Sequence, residues 1–305
     1  MMLAYGYRKF GGPAVFETLD QPALKPTANQ VIITTLAVNL NDEDRIERLG
    51  ANEATPLPVI PGHDVVGRVS QVGAAVTDIA VGTLVAAHTK HAYAEQVCLD
   101  ADSTVTVPDN LTPAQAVSLI TPGITAYKTV RYFADIQPDQ TVIVKGAAGG
   151  VGSLVVQLSK RLGAKVIAIA SQQHADALTA LGVDQFVAYD HQDPAHVLAD
   201  SGDVVINVAL NGVDGKADLA MAKFDATIVS IATHLPATSK SIRFRSIHAT
   251  NAISDQAALQ MLFRLLSIGE LQTNIGYQLP FNLAGFIQGH ELLDQPHTGR
   301  IVIKK

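Results

Sequence analysis

The spacing of hydrophobic and polar positions changes twice along the chain. In the first third, apolar runs are short and separated by turns. Residues 31–38 form an apolar run rich in β-branched side chains, and residues 65–72 alternate with polar ones as a half-buried strand does. Gly11-Gly12-Pro13, Pro22, Pro26, Pro56, Pro58 and Pro61-Gly62 interrupt these runs, because both residue types punctuate regular structure. Thr112-Pro113 then predicts a helix start, with a hydroxyl at the cap and proline at the first helical position.

From about Leu111 to Ala252 the rhythm alternates between strand and helix. Apolar strands are predicted at 141–145, 165–170, 185–188, 203–208 and 226–231. Helices between them include 151–162 and 174–181, each ending near a glycine, Gly163 or Gly182. Such alternation predicts a parallel, doubly wound sheet. Beyond Ser254 the pattern gives a helix over 256–268, a strand near 278–280, a helix over 283–293 and a strand over 299–303. That tail returns to the β-rich style of the beginning. The expected architecture is therefore α/β, with a β-rich domain (1–117 and 254–305) split around a Rossmann domain (118–253). There is no internal repeat and no low-complexity segment.

Composition narrows the classes. Of 305 residues, 48% are hydrophobic and 16% charged, enough apolar surface for a sizeable core and unlike a disordered chain. A net charge of -6 gives no electrostatic reason to bind nucleic acid or an anionic membrane. The single cysteine, Cys98, excludes an intramolecular disulfide and a cysteine-rich zinc site. It reads as a small apolar residue in a strand-like run, 94–99. The N-terminal residues lack the roughly 7–15-residue apolar core of a secretory signal. No run approaches the ~18 apolar residues of a membrane span. The expectation is a soluble cytoplasmic protein.

The strongest local pattern runs from Thr141 to Ser153. An apolar strand enters a glycine-rich turn, which opens an amphipathic helix carrying Leu154, Val155, Leu158 and Leu162 on one face. Ala148, Gly149, Gly150, Val151 and Gly152 are the residues expected to approach a dinucleotide pyrophosphate. Glycines allow close backbone approach, and the helix N-terminus stabilises the negative charge. Ala147 stands where the first glycine of G-x-G-x-x-G would be, and a tight structural turn is the competing reading. An NAD site usually places an acidic residue about 20 positions on, to bond the ribose 2′-hydroxyl. Here the second strand is followed by Ser171-Gln172-Gln173-His174, with no carboxylate. Ser171 can donate to a 2′-phosphate and His174 can add positive charge, which favours NADPH. The same residues suit helix capping, and the two roles are compatible.

Several motifs, taken in order, resemble the medium-chain dehydrogenase/reductase superfamily. They are Phe10-Gly11-Gly12-Pro13, Ala37-Val38-Asn39, Pro61-Gly62-His63-Asp64-Val65-Val66-Gly67 with Val72-Gly73, and Ala92-Tyr93-Ala94-Glu95. Gly123-Ile124-Thr125-Ala126-Tyr127, the glycine turn and the terminal Thr298-Gly299-Arg300-Ile301-Val302-Ile303 complete them. Within the superfamily they most resemble the quinone oxidoreductase branch. The resemblance implies a split GroES-like catalytic domain around the Rossmann domain, with an active site in the cleft between them, and a homodimer pairing through strands of the cofactor domain, for which residues 225–231 offer a candidate edge. It implies further cofactor contacts by position. Thr125 would face the nicotinamide, and Tyr189, after the third strand, would lie beside the 2′-phosphate. Asn207 and Val208 end the fourth strand, Ile231 and Ala232 the fifth, where ligands of open α/β sheets sit.

Alcohol dehydrogenases of this superfamily bind catalytic zinc through a cysteine in the position of Asn39 and a histidine in the position of His63, with a further cysteine or acidic ligand. Asn39 is a poor ligand, three protein ligands are needed, and no zinc is expected. His63 reads instead as a partly buried, hydrogen-bonded histidine at a strand start. Without a Lewis acid, hydride delivery suits acceptors that are already electrophilic, such as quinones and conjugated carbonyls. Asn39 and Asp42 are the candidate catalytic residues, by likeness to the branch's N-x-x-D turn, although Leu40 replaces its usual proline. Asn39 equally suits a structural turn that caps its own backbone, and Asp42 a helix-start cluster, Asn41-Asp42-Glu43-Asp44. Ala51 and Asn52 stand where related enoyl reductases carry a proton-donating tyrosine. An alcohol dehydrogenase, an enoyl thioester reductase and a silent NADPH-binding sensor remain alternatives.

Overall fold

The computed structural model describes residues 1–51, 54–210 and 215–305. The chain opens with an antiparallel pair, β1 (Met2–Gly6) and β2 (Glu17–Gln21). Next come β3 (Gln30–Leu40), α1 (Asp42–Arg48), β4 (Asp64–Val72), β5 (Leu84–His88), β6 (Gln96–Asp100), β7 (Val105–Thr106) and α2 (Pro113–Val117). α3 (Ile120–Lys128) precedes β8 (Thr141–Lys145), α4 (Gly150–Arg161), β9 (Lys165–Ala170), α5 (Ala175–Ala180) and β10 (Gln185–Ala188). Then follow α6 (Pro194–Val197), β11 (Gly202–Asn207), α7 (Lys216–Met221), β12 (Ala222–Ser230) and β13 (Arg243–Ser246). The chain closes with α8 (Asp255–Ser267), β14 (Ile275–Pro280), α9 (Leu283–Leu293) and β15 (Arg300–Lys304). These elements form two compact units, Met1–Thr121 with Asp255–Lys305, and Pro122–Ser254.

In the first unit a seven-stranded sheet runs β14-β15-β3-β4-β5-β7, with β6 also paired to β3. β14 and β15 are parallel and the other pairings antiparallel. β3 is buried at Val31, Ile32, Ile33, Ala37 and Val38, as its run of β-branched residues requires. β4 departs from the simple alternation in its sequence. Asp64–Gly67 is buried on both faces, and alternation begins only at Arg68. The cause is position: β3 and β5 flank β4, and α2 packs on it. An aromatic cluster fills the core, with the Phe286 ring 4.7 Å from both Tyr5 and Tyr93. At α2, Thr112 and Gln115 form the reciprocal capping box that holds the helix start, each side chain taking the other's backbone N–H.

In the second unit six parallel strands run β10-β9-β8-β11-β12-β13. Their centres are apolar on both faces, as a parallel sheet covered by helices demands. The chain moves outward from β8 to β10, then returns to β11 beside β8. The topological switch point therefore lies between β8 and β11.

Three details differ from the sequence reading. All but the last residue of the segment proposed as an edge, 225–231, lie in β12, which is internal between β11 and β13; the edges are β10 and β13. The helix after β9 begins with a 3-10 turn, Gln172–His174, before α5, and Ser171 at its cap makes no side-chain capping bond. β13 carries two arginines in four residues and gave too weak an apolar signal to be expected. Among the described residues no helix is long and apolar enough to cross a membrane.

Candidate functional site

β8 delivers the chain to the glycine turn at the carboxyl edge of the parallel sheet. The left-handed residue there is Gly146, at φ +78°, and a Cβ on it would come within 2.9 Å of the Ala209 nitrogen. Ala147 is buried, and its N–H donates to Ile169 at 3.2 Å. The turn thus does not need glycine at 147; the sharp bend falls one residue earlier. Gly149 caps α4. A Cβ on Gly152 would collide with the carbonyl oxygen of Gly146, so the helix can start this close to the turn only with glycine there. The first backbone N–H groups of a twelve-residue helix, at Gly150, Val151 and Gly152, have no intrahelical acceptor. They and the helix dipole suit an anionic group. The glycines let the turn close tightly against the helix, and the bare helix start suits a pyrophosphate.

The other strand ends converge on the same edge. Asn207 ends β11, in register with Lys145 of β8, and Val208 donates to the Lys145 carbonyl at 3.1 Å. Behind them Asp218, fully buried, accepts from Lys145 Nζ at 2.9 Å and from Asn207 Nδ2 at 2.7 Å. The Asn207 side chain is therefore part of a buried ion-pair network that fixes both strand ends. Ile231 donates to the Asn207 carbonyl at 3.2 Å, and the Ala232 N–H is held by Ser230 Oγ at 3.0 Å. Ser171 and His174, both half-buried, follow β9, and Tyr189, 60% exposed, follows β10. The Tyr189 N–H donates to Ala170 at 3.1 Å, which brings these three residues to one corner. Thr125 lies half-buried on α3.

In the β-rich unit the candidate catalytic residues Asn39 and Asp42 have different partners. Asn39 is no turn residue: it lies within β3, fully buried, and its amide donates to Asn41 at 2.9 Å and Asp64 at 3.0 Å. The Arg300 Nε donates to its oxygen at 3.3 Å, and Arg300 also bonds Leu40 and Asn41. Asp42 begins α1 on the surface and pairs with Arg45 at 2.7 Å. The network runs instead through residues to which the sequence reading gave no catalytic role, among them His63, hydrogen-bonded as expected. Buried Asp64 accepts from Asn41 at 2.9 Å and Thr121 Oγ1 at 2.5 Å, with His88 at 3.5 Å. Burial alone would raise its carboxyl, but His88, Asn41 and Thr121 bring it below the usual range. Asp44 accepts the Asn41 N–H at 2.8 Å, the Tyr93 hydroxyl at 3.0 Å and His63 Nδ1 at 2.8 Å. Burial would lower the His63 ring, yet the bond and charge of Asp44, with Glu43 and Glu47, raise it to about 9. His63 is thus an imidazolium at neutral pH, lining a pocket of about 430 Å³ with Glu43, Ile46, Glu47, Ile60 and His91. Ala51 also lines it, while Asn52 lies outside the described residues. One signal for the network was in the sequence: Asn41 and Asp44 are spaced as a capping box, and they form one.

The alcohol dehydrogenase GroES-like domain family matches residues 27–126, and the zinc-binding dehydrogenase family matches residues 150–267. The chloroplast envelope quinone oxidoreductase homolog of Arabidopsis thaliana is 31% identical over 229 residues, 70% of this chain and 69% of that protein. The chain belongs to the medium-chain dehydrogenase/reductase superfamily, in its quinone oxidoreductase branch. A quinone oxidoreductase of Salmonella typhimurium is 32% identical over 186 residues, 60% of this chain, and the match spans only 57% of that enzyme's length. The NADPH-dependent alkenal/one oxidoreductase of Arabidopsis thaliana chloroplasts is 29% identical over 99% of this chain and 79% of its own. The solved quinone oxidoreductase of Coxiella burnetii superposes with a TM-score of 0.86 at 28% identity, covering 100% of this chain and 99% of that one.

For a medium-chain dehydrogenase/reductase whose family model is named for zinc, the position of Asn39 matters. Its amide N–H groups are spent on Asn41 and Asp64, and the Arg300 guanidinium lies against its oxygen. His63 Nδ1 is held by Asp44. A zinc ion beside Asn39 would meet a guanidinium cation and a donor-facing amide, so these residues do not fit the metal. Among the described residues no three His, Cys, Asp or Glu side chains are grouped to hold an ion.

Proposed function

We propose that this chain is an NADPH-dependent oxidoreductase that reduces quinones or conjugated carbonyls without zinc. The observation that carries the reading is the cradle at the switch point, where the glycine turn between β8 and α4 would receive the pyrophosphate. Ser171, His174 and Tyr189 stand where the adenosine 2′-substituent would lie, and Thr125, Val208, Ile231 and Ala232 would flank the nicotinamide half. When bound, the reduced nicotinamide supplies a hydride. The rest is positioning and charge. The half-buried imidazolium of His63, oriented through Nδ1 by Asp44, offers a charged hydrogen-bond donor to the pocket it lines. Ile46 and Ile60 give this otherwise charged pocket, which also holds Glu43, Glu47 and Lys90, an apolar patch for a ring. Asn39 and Asp42 act in this reading as support: Asn39 anchors the Asp64 network, and Asp42 opens the helix that carries Asp44. Likeness over nearly the whole chain to an alkenal/one oxidoreductase supports conjugated carbonyls beside quinones.

The test is NADPH oxidation by purified, chelator-treated protein against benzoquinones, naphthoquinones and enones. Turnover that zinc addition leaves unchanged is the expected result. Tight NADPH binding without turnover on any acceptor would instead favour a silent nucleotide binder.

A further inference from the structure

Reduction by hydride consumes one proton as well. When a conjugated carbonyl takes a hydride, an electron pair comes to rest on its oxygen, and a donor there completes the reaction. The pocket of about 430 Å³ beside α1 holds several groups that could supply it, and their surroundings separate them. Lys90 and His91 are exposed, and His91 Nδ1 lies 2.8 Å from the Ile60 carbonyl. The His88 ring, 6.0 Å from that of His63, turns Nδ1 to Thr121 at 3.2 Å and to Asp64 at 3.5 Å. Glu47 is half-buried, and burial raises its carboxyl. His63 differs from all of these in being both fixed and charged. Its Nδ1 is held at 2.8 Å by Asp44, whose own carboxylate is fully buried and fixed by the Tyr93 hydroxyl and the Asn41 N–H. The ring therefore presents Nε2 on the Glu43 side, 3.8 Å from Glu43 Oε1. That separation is longer than a hydrogen bond, so the Nε2 proton is not engaged there. The Glu43 side chain is 63% exposed and reaches solvent.

We propose that His63 is the proton donor of the reduction, with Asp44 orienting its ring and Glu43 passing the replacement proton in from solvent. The inference rests on the reductase reading of this pocket and deepens it. As the hydride reaches the acceptor, the Nε2–H bond breaks and its proton forms the O–H bond on the acceptor's carbonyl oxygen. The ring is left neutral, with its remaining proton on Nδ1 against Asp44. A proton from water then crosses from Glu43 to Nε2 and restores the cation. Hydride and proton leave together in the hydroquinone or enol, and the nicotinamide is left oxidised. The acids around the ring keep it protonated at neutral pH, so each cycle starts with a proton in place.

Two variants separate proton donation from packing. His63→Gln keeps an N–H donor but has no proton to release at neutral pH. Its kcat with enones and quinones should fall at least about a hundredfold, as the loss of a general acid does, while calorimetric binding of NADPH stays within about twofold. His63→Ala opens room for a free ring. Added imidazole should raise its kcat about tenfold or more, and N,N′-dimethylimidazolium, a cation of the same shape with no N–H, should not. An equal response to the two compounds, or a His63→Gln kcat within a few-fold of wild type, would overturn the donor and leave the reductase reading standing. Glu43→Gln changes an exposed side chain and leaves the ring in place. Its kcat should fall in dilute buffer and recover as the buffer concentration rises; a kcat independent of buffer would overturn the role of Glu43. Wild type that binds NADPH yet reduces no acceptor would overturn the reductase reading itself, and the inference with it.

Discussion

His63 and His290 sit in the same unit and are driven in opposite directions. The Asp44 bond and the surrounding acids raise His63 from 6.5 to about 9 against the effect of burial. That charged form stabilises the fold fully below pH 6.5, and the stabilisation is lost as pH rises through 9; a shift of this size corresponds to about 3 kcal/mol. Burial, then the charge of Arg48, lower His290 to about 3. Its neutral ring contributes fully above 6.5, and that contribution is lost as pH falls towards 3. Denaturant melts from pH 5 to 10 should therefore show stability falling on both sides of neutrality. In His63→Gln the alkaline decline should flatten; an unaltered alkaline limb would show that His63 is not its source. A second residue-scale expectation concerns the cradle. Gly152→Ala puts a methyl group against the Gly146 carbonyl, and should weaken nucleotide binding at least tenfold with a stability loss of about 1–3 kcal/mol. Gly12→Ala, with nothing within 4 Å, is the matched control and should leave both unchanged.

At the scale of elements, most strands of the parallel sheet were legible because their centres are apolar runs. β8, β9 and β10 begin and end where the pattern places them. The arginine-bearing β13 was not legible, nor was the buried face of β4, whose burial comes from neighbours distant in sequence. The site divides in the same way. The glycine turn is local and could be read; the Asp44–His63 and Asp64–Asn39 contacts join segments that only the fold brings together. Asn39 was misjudged as a possible turn residue because it precedes the helix-start cluster, whereas β3 runs on through it to Leu40. One element boundary can be tested on its own. Thr112 is an N-cap whose hydroxyl accepts from Gln115 at 3.2 Å, so Thr112→Ala should lower stability by about 1 kcal/mol in urea melts. A loss below a few tenths would mean that Pro113 and the packing of α2 hold the helix without its cap.

For the whole molecule, the division into two compact units gives nucleotide binding a regional signature. All the positions assigned to the dinucleotide belong to the unit Pro122–Ser254. A ligand that binds only the native state stabilises it by about 2.7 kcal/mol at a hundred times its Kd, but local protection follows the groups it touches. Saturating NADPH should therefore slow amide exchange most at Gly150–Gly152, whose helix-start N–H groups lack helical partners. The β14–β15 pair and the β1–β2 pair, which belong to the other unit, should exchange at unchanged rates once the global stabilisation is subtracted. The N–H groups of β8 and β11 are already bonded within the sheet, so slower exchange there alone would report general tightening and not contact. Protection that spares the glycine turn while appearing elsewhere in the Rossmann unit would relocate the nucleotide, because the turn presents the open start of a twelve-residue helix at the switch point of the sheet.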